Sequence, residues 1–533
     1  MIILRMAKSC LFYAIYCLVH LIDVFSNLKR IKCAGAILRI RDGFVQAFKV
    51  RTDFKLSSVR AQTNAELRSI LHELAVEAWE ITSPSNLPTH LGILSDHRDI
   101  VVDALRRQAN LANWYWQELS ESGGRIGPPR LFSKLRSGNN YAAIQVFEIV
   151  SIDRFSTFQA DGSQGVILTF WDLDSSSDRL IARAWNERVT EVENLATRKR
   201  DFSQSLMMAN SHRITDVDFP IDVVYTWVDG SDHKWQEIKA DALSLDDPEA
   251  FIQSAIDEAR FADHDELKFS LRSIEQFAPW INHIWVVTAG QVPSWLNTEN
   301  DKITVVDHND IWKEDDGLPS FNSHAIEANI NNIGGLSRYF LYFNDDFILG
   351  RPVRPETFFH GNGITKFFES KALVDFIKVQ PLDNASTVAA KNARGVILER
   401  FARSFSRKFY HAPSAIDRSV LTLMEAENEE LFDLTRRARF RQNSDIAAVG
   451  SFYFNWANAM GRAVPGRIAY AYIDPATSMG RKLLTRVIKR RNYDTICIND
   501  GSTNETDLQR YESDLFIKSS LQKFLPIKSS FEK

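Results

Sequence analysis

Between residues 221 and 353, apolar residues form short continuous runs that alternate with amphipathic segments. The run IDVVYTWV at 221–228 is rich in β-branched and aromatic residues, as in strands buried on both faces of a parallel sheet. From Asp265 the apolar residues recur every three or four positions, which predicts a helix with one buried face. The whole pattern predicts strands at 221–228, 283–288, 302–307 and 339–343, and helices at 265–278 and 321–333. Strands and helices in this alternating order predict an α/β domain with a mainly parallel sheet.

The chain on either side of this region carries weaker patterns. Helical spacing predicts two helices between residues 55 and 120, the second across 100–119, and β-favouring runs predict a small β module between 140 and 190. Residues 197–218 are polar and predict a linker, whereas residues 383–440 predict a largely helical insert over the sheet. The predicted division is an N-terminal segment 1–50, an accessory α and β region 51–200, an α/β domain 219–505 and a polar C-terminal tail 506–533.

The apolar run at 11–25 has basic residues on both sides, among them Lys8 and Lys29. A helix that spans a bilayer needs about 20 apolar residues, and this run is shorter and contains His20 and Asp23. A signal peptide, a short anchor and a buried helix are alternatives. We favour an amphipathic helix that either packs on the protein or lies on a membrane surface.

Composition and charge limit the cellular compartments and the classes of binding partner that we expect. The 533 residues carry a formal net charge of −4 without a basic block, which gives no electrostatic basis for binding nucleic acid. The four cysteines, Cys10, Cys17, Cys33 and Cys497, are too scattered for a disulfide framework and form no CxxC pair. We therefore expect a cytoplasmic protein, either free or associated with the inner face of the plasma membrane.

Acidic residues follow two of the predicted strands. Asp345 and Asp346 interrupt the run FLYFNDDFIL, and Asp229 follows the strand at 221–228. A buried carboxylate is unfavourable unless it is paired or bound to a cation, so the Asp-Asp pair indicates either a hard metal ion or an arginine partner. A solvated turn is the alternative, because Asn and Asp are common turn residues. Ligands of open α/β sheets bind beyond the carboxyl ends of the strands, where all three aspartates are expected.

The predicted helix at 321–333 carries polar residues on one face. His324 and Glu327 are three residues apart and Asn331 follows four residues later, so their side chains share that face. Solvated surface or a helix cap would explain the same pattern. Only the order of strands and helices places this helix beside the aspartates.

The sequence from 221 to 501 is similar to the Stealth proteins in four ordered blocks. The first block is IDVVYTWVDGSD at 221–232, and the second runs from ELKFSLRSIEQFAPWINHIWVVTAGQVPSWLN at 266–297 through SHAIEANINNIGGLSRYFLYFNDDFILGRPV at 323–353. The third joins YHAP at 410–413 to RFRQNSDI at 439–446, and the fourth is CINDG at 497–501. Long blocks in a fixed order are far more specific than one short motif.

Stealth proteins are similar to bacterial capsular polysaccharide phosphotransferases and to the catalytic part of animal N-acetylglucosamine-1-phosphotransferase. The resemblance implies a Rossmann-like, glycosyltransferase-like sheet and transfer of a hexose-1-phosphate, such as an N-acetylhexosamine-1-phosphate, from a UDP-sugar to a glycan hydroxyl. UMP would leave, and the new phosphodiester would join a capsular or cell-surface polysaccharide. The alternatives are a metal-dependent glycosyltransferase that makes a glycosidic bond, and a noncatalytic glycan-binding or assembly protein.

The resemblance also implies roles for residues within the blocks. Asp345 and Asp346 are expected to hold a divalent metal ion, Mg²⁺ or Mn²⁺, since these ions favour carboxylate oxygens. His411 is expected to act as a general base or phosphate contact, because a neutral imidazole accepts a proton near pH 7. Arg441 is expected to bind phosphate through two guanidinium nitrogens, with Arg439 as the alternative.

Further polar residues complete the predicted site. Asp229 and Asp500 are candidates for metal binding or base catalysis, although Asn-Asp-Gly at 499–501 is also a favoured turn sequence. An arginine that pairs with Asp445 would be structural instead. The residues expected to bind substrate are Asn344, His324, Glu327, Arg272 and Asn499.

Overall fold

The computed structural model describes residues 14, 17–33, 36–41, 44–82, 88–245, 261–380, 382–499 and 507–533. The chain divides into two compact units, Met1–His212 and Arg213–Lys533. The second unit contains every residue predicted for the site. One of them, Asp500, lies outside the described residues.

The first unit combines a four-stranded sheet and an eight-stranded sheet with helices. Its strands are β1 (Ile37–Arg41), β2 (Phe44–Val50), β3 (Trp79–Ile81), β4 (Thr89–Leu94), β5 (Trp114–Leu119), β6 (Arg125–Leu131), β7 (Ala143–Glu148), β8 (Val150–Ser151), β9 (Gln159–Ala160), β10 (Val166–Asp174), β11 (Arg179–Ala182) and β12 (Glu191–Glu193). Its helices are α1 (Leu28–Cys33), α2 (Leu56–Glu73), α3 (Arg98–Arg107) and α4 (Lys199–Asn210). Strand β10 pairs parallel with β4 and antiparallel with β7 and β11.

Two predictions for this unit are wrong. The helix predicted across 100–119 ends at Arg107, and β5 follows with Trp114 and Trp116 buried in the core. Their large aromatic side chains suit a buried strand, which overrides the helical spacing of the segment. The predicted linker at 197–218 is not a plain linker, because it contains helix α4. Phe202 of this helix is buried against the ring of Trp79.

The described part of the N-terminal run is helical at residues 17–26. His20 and Val24 are buried, whereas Leu18, Ile22 and Phe25 are exposed. One face of the helix therefore packs on the protein, and the other face exposes apolar side chains. Among the described residues, none of the helices combines the length and the apolar content needed to cross a bilayer.

The second unit contains the predicted α/β domain. Its strands are β13 (Ile221–Thr226), β14 (Ile284–Thr288), β15 (Ile303–Asp307), β16 (Tyr339–Asn344), β17 (Phe347–Leu349), β18 (Thr365–Phe367), β19 (Glu369–Leu373), β20 (Arg407–Phe409), β21 (Ser414–Asp417), β22 (Ala463–Pro465), β23 (Tyr470–Ile473) and β24 (Thr495–Ile498). Its helices are α5 (His233–Leu245), α6 (Glu266–Phe277), α7 (His308–Ile311), α8 (Ser323–Asn329), α9 (Ala385–Phe401), α10 (Arg418–Glu427), α11 (Glu429–Arg437), α12 (Ser451–Ala459), α13 (Ser478–Arg490) and α14 (Asp507–Phe524).

The main sheet has five strands in the order β15-β14-β13-β16-β21. The first four strands are parallel, and β21 joins the edge antiparallel to β16. Strand β13 is central, and its residues Ile221 to Tyr225 are buried, as its continuous apolar run predicts. Helix α6 buries Leu267, Leu271 and Ile274. The predicted α/β class with a mainly parallel, Rossmann-like sheet is confirmed.

The insert predicted to be largely helical is a mixture of helices and strands. Helix α9 begins at Asn384, whose side chain accepts a hydrogen bond of 2.9 Å from the Thr387 amide. The charged segment after residue 420 is divided at Asn428 into α10 and α11. Between α9 and α10, strand β20 precedes the loop that contains His411, and β21 completes the main sheet. The insert therefore supplies part of the sheet as well as helices beside it.

The C-terminal residues belong to the core rather than to a polar tail. Helix α14 buries Ile517, Leu521 and Phe524 on one face. Beyond it, the carboxylate of Glu532 forms a bidentate ion pair with Arg272 on α6, with distances of 2.8 and 2.7 Å. The structure corrects the predicted polar tail at 506–533, because these apolar residues recur at helical spacing within a mostly polar sequence.

Candidate active site

Strands β13 and β16 bring the predicted aspartates to one edge of the main sheet. The two strands are parallel neighbours, and Thr226 at the end of β13 pairs with Asn344 at the end of β16. The loops that carry Asp229 and Asp345 therefore leave the sheet at its carboxyl edge, side by side. This is the position where open α/β sheets bind ligands.

Asp346 is the point where several predicted residues meet. Its Oδ2 atom accepts hydrogen bonds from Cys497 Sγ at 3.1 Å and from Asn499 Nδ2 at 3.3 Å, and it lies 3.7 Å from His411 Nε2. Burial would raise the pKa of this carboxyl, but the charge of His411 and these hydrogen bonds outweigh burial and lower the pKa below its ordinary value. Asp346 is therefore held as a carboxylate, and its Oδ1 atom is buried without a hydrogen-bond partner among the described residues.

Three segments that are distant in sequence hold this arrangement. Asp346 follows β16 directly, and His411 lies in the loop between β20 and β21. Cys497 comes from β24, which pairs antiparallel with β17 so that Cys497 lies opposite Phe347. The ring of Phe347 also packs edge-on against the imidazole of His411, with ring centroids 4.6 Å apart.

His411 is the solvent-facing member of this group. Its side chain is 44% exposed, and its Nε2 atom lies 3.2 Å from the side-chain nitrogen, Nδ2, of Asn344. Asn344 and Asp346 therefore fix the imidazole from β16 and the turn that follows it. The exposed part of the imidazole is open to solution.

A second group of residues, the acidic cluster, consists of Asp229, Asp263, Glu266 and Asp345. Burial and the charges of Asp346 and Asp263 raise the pKa of Asp345 well above its ordinary value. Burial and the charges of Asp345 and Asp263 do the same to the pKa of Glu266, and burial together with the charge of Asp229 contributes to the raised pKa of Asp263. The four side chains therefore share one region of negative potential.

Asp229 lies in a short ordered turn at the edge of this cluster. Its Oδ1 atom accepts hydrogen bonds from the Ser231 amide at 2.9 Å and the Ser231 hydroxyl at 2.6 Å. Gln291 in turn bonds the Asp229 backbone on both sides, accepting from its amide and donating to its carbonyl, each at 3.0 Å. The loop is thus fixed by side chains from the segment after β14.

A third group, the mixed-charge cluster, consists of His324, Glu327 and Arg441. Burial raises the pKa of Glu327, and the charges of His324, Arg441 and His411 oppose this rise without cancelling it. Arg441 donates a hydrogen bond of 2.6 Å to the Ser323 hydroxyl, and within the described part of the chain its buried Nε atom has no hydrogen-bond partner. His324 and Glu327 therefore share a face of α8, as predicted, and that face adjoins Arg441 and His411.

Asn331 does not share this environment. Helix α8 ends at Asn329 and continues as a single 3-10 turn, which rotates Asn331 away from the face of His324 and Glu327. Its side chain bonds Thr422 and Glu425, each at 3.1 Å. Asn331 is therefore part of the contact between this turn and α10.

The structure gives Arg272 a different role from the predicted one. Its side chain is 5% exposed, and besides its ion pair with Glu532 it donates to Gln522 at 2.9 Å and to the Leu525 carbonyl at 2.8 Å. Its guanidinium nitrogens are engaged by the C-terminal segment, so binding of substrate phosphate by Arg272 is not supported. Asp445 is also structural, since it accepts from Asn322 at 2.8 Å and lies 3.5 Å from His324.

Sequence reasoning missed Asp263, Glu266 and Cys497. The first two lie in the acid-rich stretch ADHDEL before α6, which resembles an ordinary solvated helix start. Their burial could not be inferred without the strand order. Cys497 reaches the site because β24 pairs with β17, and this pairing joins residues that are far apart in the chain. The sequence pattern around Cys497 therefore predicts no role for it in the site.

The second unit is thus an α/β domain with a carboxylate and histidine site at the carboxyl edge of its sheet. Family models match three parts of it: Stealth protein CR1, conserved region 1, at residues 219–244; Stealth protein CR2, conserved region 2, at 260–367; and Stealth protein CR3, conserved region 3, at 410–457.

The chain is similar along most of its length to the exopolysaccharide phosphotransferase SCO6023 of Streptomyces coelicolor, with 34% identity over 491 residues, covering 89% of this chain and 82% of that relative. It is also similar to the exopolysaccharide phosphotransferase CpsY of Mycobacterium tuberculosis, with 38% identity over 322 residues, covering 60% of this chain and 59% of that relative. The chain belongs to the Stealth family, which confirms the predicted resemblance.

Among solved structures, the galactosyltransferase LgtC covers 56% of this chain and 95% of its own length at 11% identity. The TM-score of 0.29 is too low to contribute to the fold assignment. The α/β class of this chain rests on its own sheet order and strand directions.

Proposed function

We propose that this protein transfers a hexose-1-phosphate, such as an N-acetylhexosamine-1-phosphate, from a UDP-sugar to a glycan hydroxyl. The reaction would release UMP and form a phosphodiester in an exopolysaccharide. The observation that carries this proposal is the close pairing of His411 with the ionised Asp346, next to the acidic cluster at the carboxyl edge of the sheet. The relatives SCO6023 and CpsY are both named exopolysaccharide phosphotransferases, which supports the same reaction class.

A divalent cation fits the residues on the acidic side. Burial and neighbouring carboxylates raise the pKa of Asp345 and of Glu266, and the buried Oδ1 atom of Asp346 lacks a hydrogen-bond partner among the described residues. Oxygen donors of this kind suit Mg²⁺ or Mn²⁺. Asp345 and Asp346 would hold the ion, with Asp229 at the edge of the cluster. A bound divalent ion would stabilise negative charge on the transferred phosphoryl group.

The protein's own groups would move the acceptor proton. The His411 side chain is 44% exposed, so an acceptor hydroxyl can approach the imidazole, which would take up its proton as the oxygen attacks phosphorus. The carboxylate of Asp346, 3.7 Å away, would then stabilise the positive charge that develops on the imidazole. Asn344 orients the ring through its contact with the same nitrogen.

Arg441 supplies positive charge to the other side of the site. Its buried Nε atom, which has no hydrogen-bond partner among the described residues, is suited to a phosphate oxygen, and another guanidinium nitrogen donates to the Ser323 hydroxyl. Asn499 would support the reaction through its hydrogen bond to Asp346. His324 and Glu327 would bind the donor or acceptor beside Arg441.

The cellular location remains part of the proposal. The exposed apolar side chains of Leu18, Ile22 and Phe25 lie on one helix, and the basic residues Lys29 and Lys32 follow it. Apolar and basic groups in this order are typical of helices that lie on a membrane surface. A cytoplasmic enzyme held at the inner face of the plasma membrane would meet both nucleotide sugars and growing polysaccharide.

The test is to incubate the purified full chain with a panel of UDP-sugars, Mg²⁺ or Mn²⁺ and short glycan acceptors, and to identify the released nucleotide by mass. We expect UMP together with an acceptor that has gained a sugar-phosphate. Release of UDP with a glycosidic product would establish a glycosyltransferase instead. Binding of glycan without turnover of any donor would favour a noncatalytic glycan-binding protein.

A further inference from the structure

Asp346, His411 and Cys497 form a compact group of three chemically different ligands. Their ligand atoms, Oδ2, Nε2 and Sγ, all lie within 4.8 Å of one another. Sγ donates to Oδ2 at 3.1 Å, and Nε2 lies 3.7 Å from the same oxygen. Each residue comes from a different segment, so the fold and not local sequence brings them together.

These separations resemble those around a tetrahedral zinc ion. Zinc binds sulfur at about 2.3 Å and histidine nitrogen or carboxylate oxygen at about 2.0–2.2 Å, so neighbouring ligand atoms lie roughly 3.3–3.7 Å apart. The observed distances to Oδ2, 3.1 Å from Sγ and 3.7 Å from Nε2, are close to this range, and Sγ and Nε2 lie within 4.8 Å of each other. Small side-chain rotations would bring all three atoms to one ion.

The ligand types favour a particular class of cation. Mg²⁺ and Mn²⁺ prefer oxygen donors, whereas a combination of thiolate, imidazole and carboxylate suits Zn²⁺ and related thiophilic ions. Cys497 is fully buried, but His411 is 44% exposed, so an ion can enter from the histidine side and keep a water molecule as its fourth ligand. The buried, unpartnered Oδ1 atom of Asp346 gives the same carboxylate a second oxygen for the ion.

We propose that Asp346, His411 and Cys497 form a binding site for a thiophilic divalent cation such as Zn²⁺. The ion would replace the proton on Sγ, which passes to solvent, and the step requires neither oxidant nor reductant. This binding stands on the geometry of the three residues alone. Its consequence rests on the proposed function: an ion held there would occupy both the carboxylate and the imidazole needed for transfer, and would keep the enzyme inactive.

The test uses Co²⁺ as a spectroscopic substitute for Zn²⁺ in the full-length protein. We expect a charge-transfer absorption band from thiolate to cobalt that saturates at one ion per chain and disappears when Zn²⁺ is added. Cys497→Ser should remove the band, and His411→Gln should weaken binding by more than about 10-fold, since loss of even an outer partner of a metal ligand weakens binding by about 10- to 100-fold. The matched control replaces Cys10, Cys17 and Cys33 by Ser together and should keep the band.

A band that persists in Cys497→Ser, or is absent from the wild type, would overturn the proposal. If Cys497→Ser does not fold, X-ray absorption of the Zn²⁺-loaded triple-cysteine control gives the answer. A sulfur shell at about 2.3 Å would support the site, and a shell of only oxygen and nitrogen would contradict it. Neither readout involves turnover. A protein that binds cobalt at this site but transfers no sugar-phosphate after the cobalt is removed and Mg²⁺ or Mn²⁺ is supplied would therefore refute the proposed function alone.

Discussion

Buried carboxylates at the two ends of strand β16 have pKa values that are shifted in opposite directions. At the amino end, Asp417 lies opposite Tyr339 and receives hydrogen bonds from Arg338 at 3.0 Å and Arg462 at 2.7 Å. These donors and Ser419 outweigh the effect of burial and lower the pKa of Asp417. At the carboxyl end, burial and neighbouring carboxylates raise the pKa of Asp345. Among the described residues, two arginines pair with the first carboxylate, whereas the second has no cationic partner.

The largest expected effect comes from exchanging Asp345 for Asn. We expect Asp345→Asn to lower transfer at least about 1,000-fold, because the ion it would hold contributes several kcal/mol of charge stabilisation in the transition state. The measurement is the rate of UMP release from the UDP-sugar that the wild type uses. Asp417→Asn is the matched control, in which activity should fall only as far as the folded fraction falls. Unchanged polymer synthesis by Asp345→Asn would exclude the enzymatic interpretation.

His411 tests whether the ionised Asp346 serves a proton transfer. We expect His411→Gln to lower kcat by about 100-fold or more, the range typical of a lost general base, with a smaller change in KM for the donor. Steady-state kinetics with donor and acceptor varied separately would measure both. A change confined to KM would instead make His411 a binding residue.

Two arginines of the domain, Arg441 and Arg272, offer a sharper contrast. Arg441→Lys should lower kcat/KM by about 10- to 100-fold, because a lysine cannot reproduce a bidentate contact to phosphate worth roughly 1.5–3 kcal/mol. Arg272→Met should instead reduce the free energy of unfolding by about 3–5 kcal/mol, since it leaves the buried Glu532 carboxylate unpaired.

Chemical denaturation measures the stability half of this contrast. The double variant Arg272→Met, Glu532→Met should recover most of the stability, because neither charge then remains buried. Loss of donor affinity in a stably folded Arg272 variant would restore the original prediction that this residue binds substrate.

Glu266 is expected to give the smallest effect, and it tests the electrostatics without removing a proposed metal ligand. The raised pKa of Glu266 means that the folded state binds its proton more tightly than the unfolded state. Its stabilising contribution is therefore present at low pH and is lost as the pH rises above the ordinary range of glutamate. We expect Glu266→Gln to raise the stability at pH 8 by about 1 kcal/mol or more, and to change it little near pH 4.

Asp417 provides the opposite sign in the same measurement. Its lowered pKa means that its stabilising contribution is present above the ordinary pKa of aspartate and is lost as the pH falls below that value. Asp417→Asn should therefore destabilise the protein at pH 8, by about 1–3 kcal/mol for the lost charged hydrogen bonds. Parallel pH profiles of the two variants would contradict the contrast between the ends of β16.

The sequence carried enough information for the sheet and for its acidic edge. Continuous β-branched runs mark β13 and β16 as buried strands, and the rule for open α/β sheets then brings Asp229 near Asp345. The sequence could not show that Arg272 is structural whereas Arg441 lies in the candidate site. The partner of Arg272 is Glu532 near the C-terminus, and no local pattern reports a contact between residues so distant.

Other parts of the site depend on burial that composition conceals. The charged stretch that contains Asp263 and Glu266 resembles a solvated helix start, but both carboxylates have raised pKa values within the folded domain. The position of Cys497 follows from the pairing of β24 with β17, which short-range patterns do not encode. The buried face of α14 is visible in the spacing of Ile517, Leu521 and Phe524, and a helical reading of the tail would have found it.

The most direct test of the central claim follows the phosphorus atom next to the sugar. A UDP-sugar labelled at this β-phosphorus is supplied to the wild type with acceptor and Mg²⁺ or Mn²⁺, with Asp345→Asn in parallel. We expect the label to appear in the glycan as a phosphodiester with the wild type and to remain in the unreacted donor with the variant. Label that stays with the nucleotide as UDP while the sugar joins the glycan would contradict the claim.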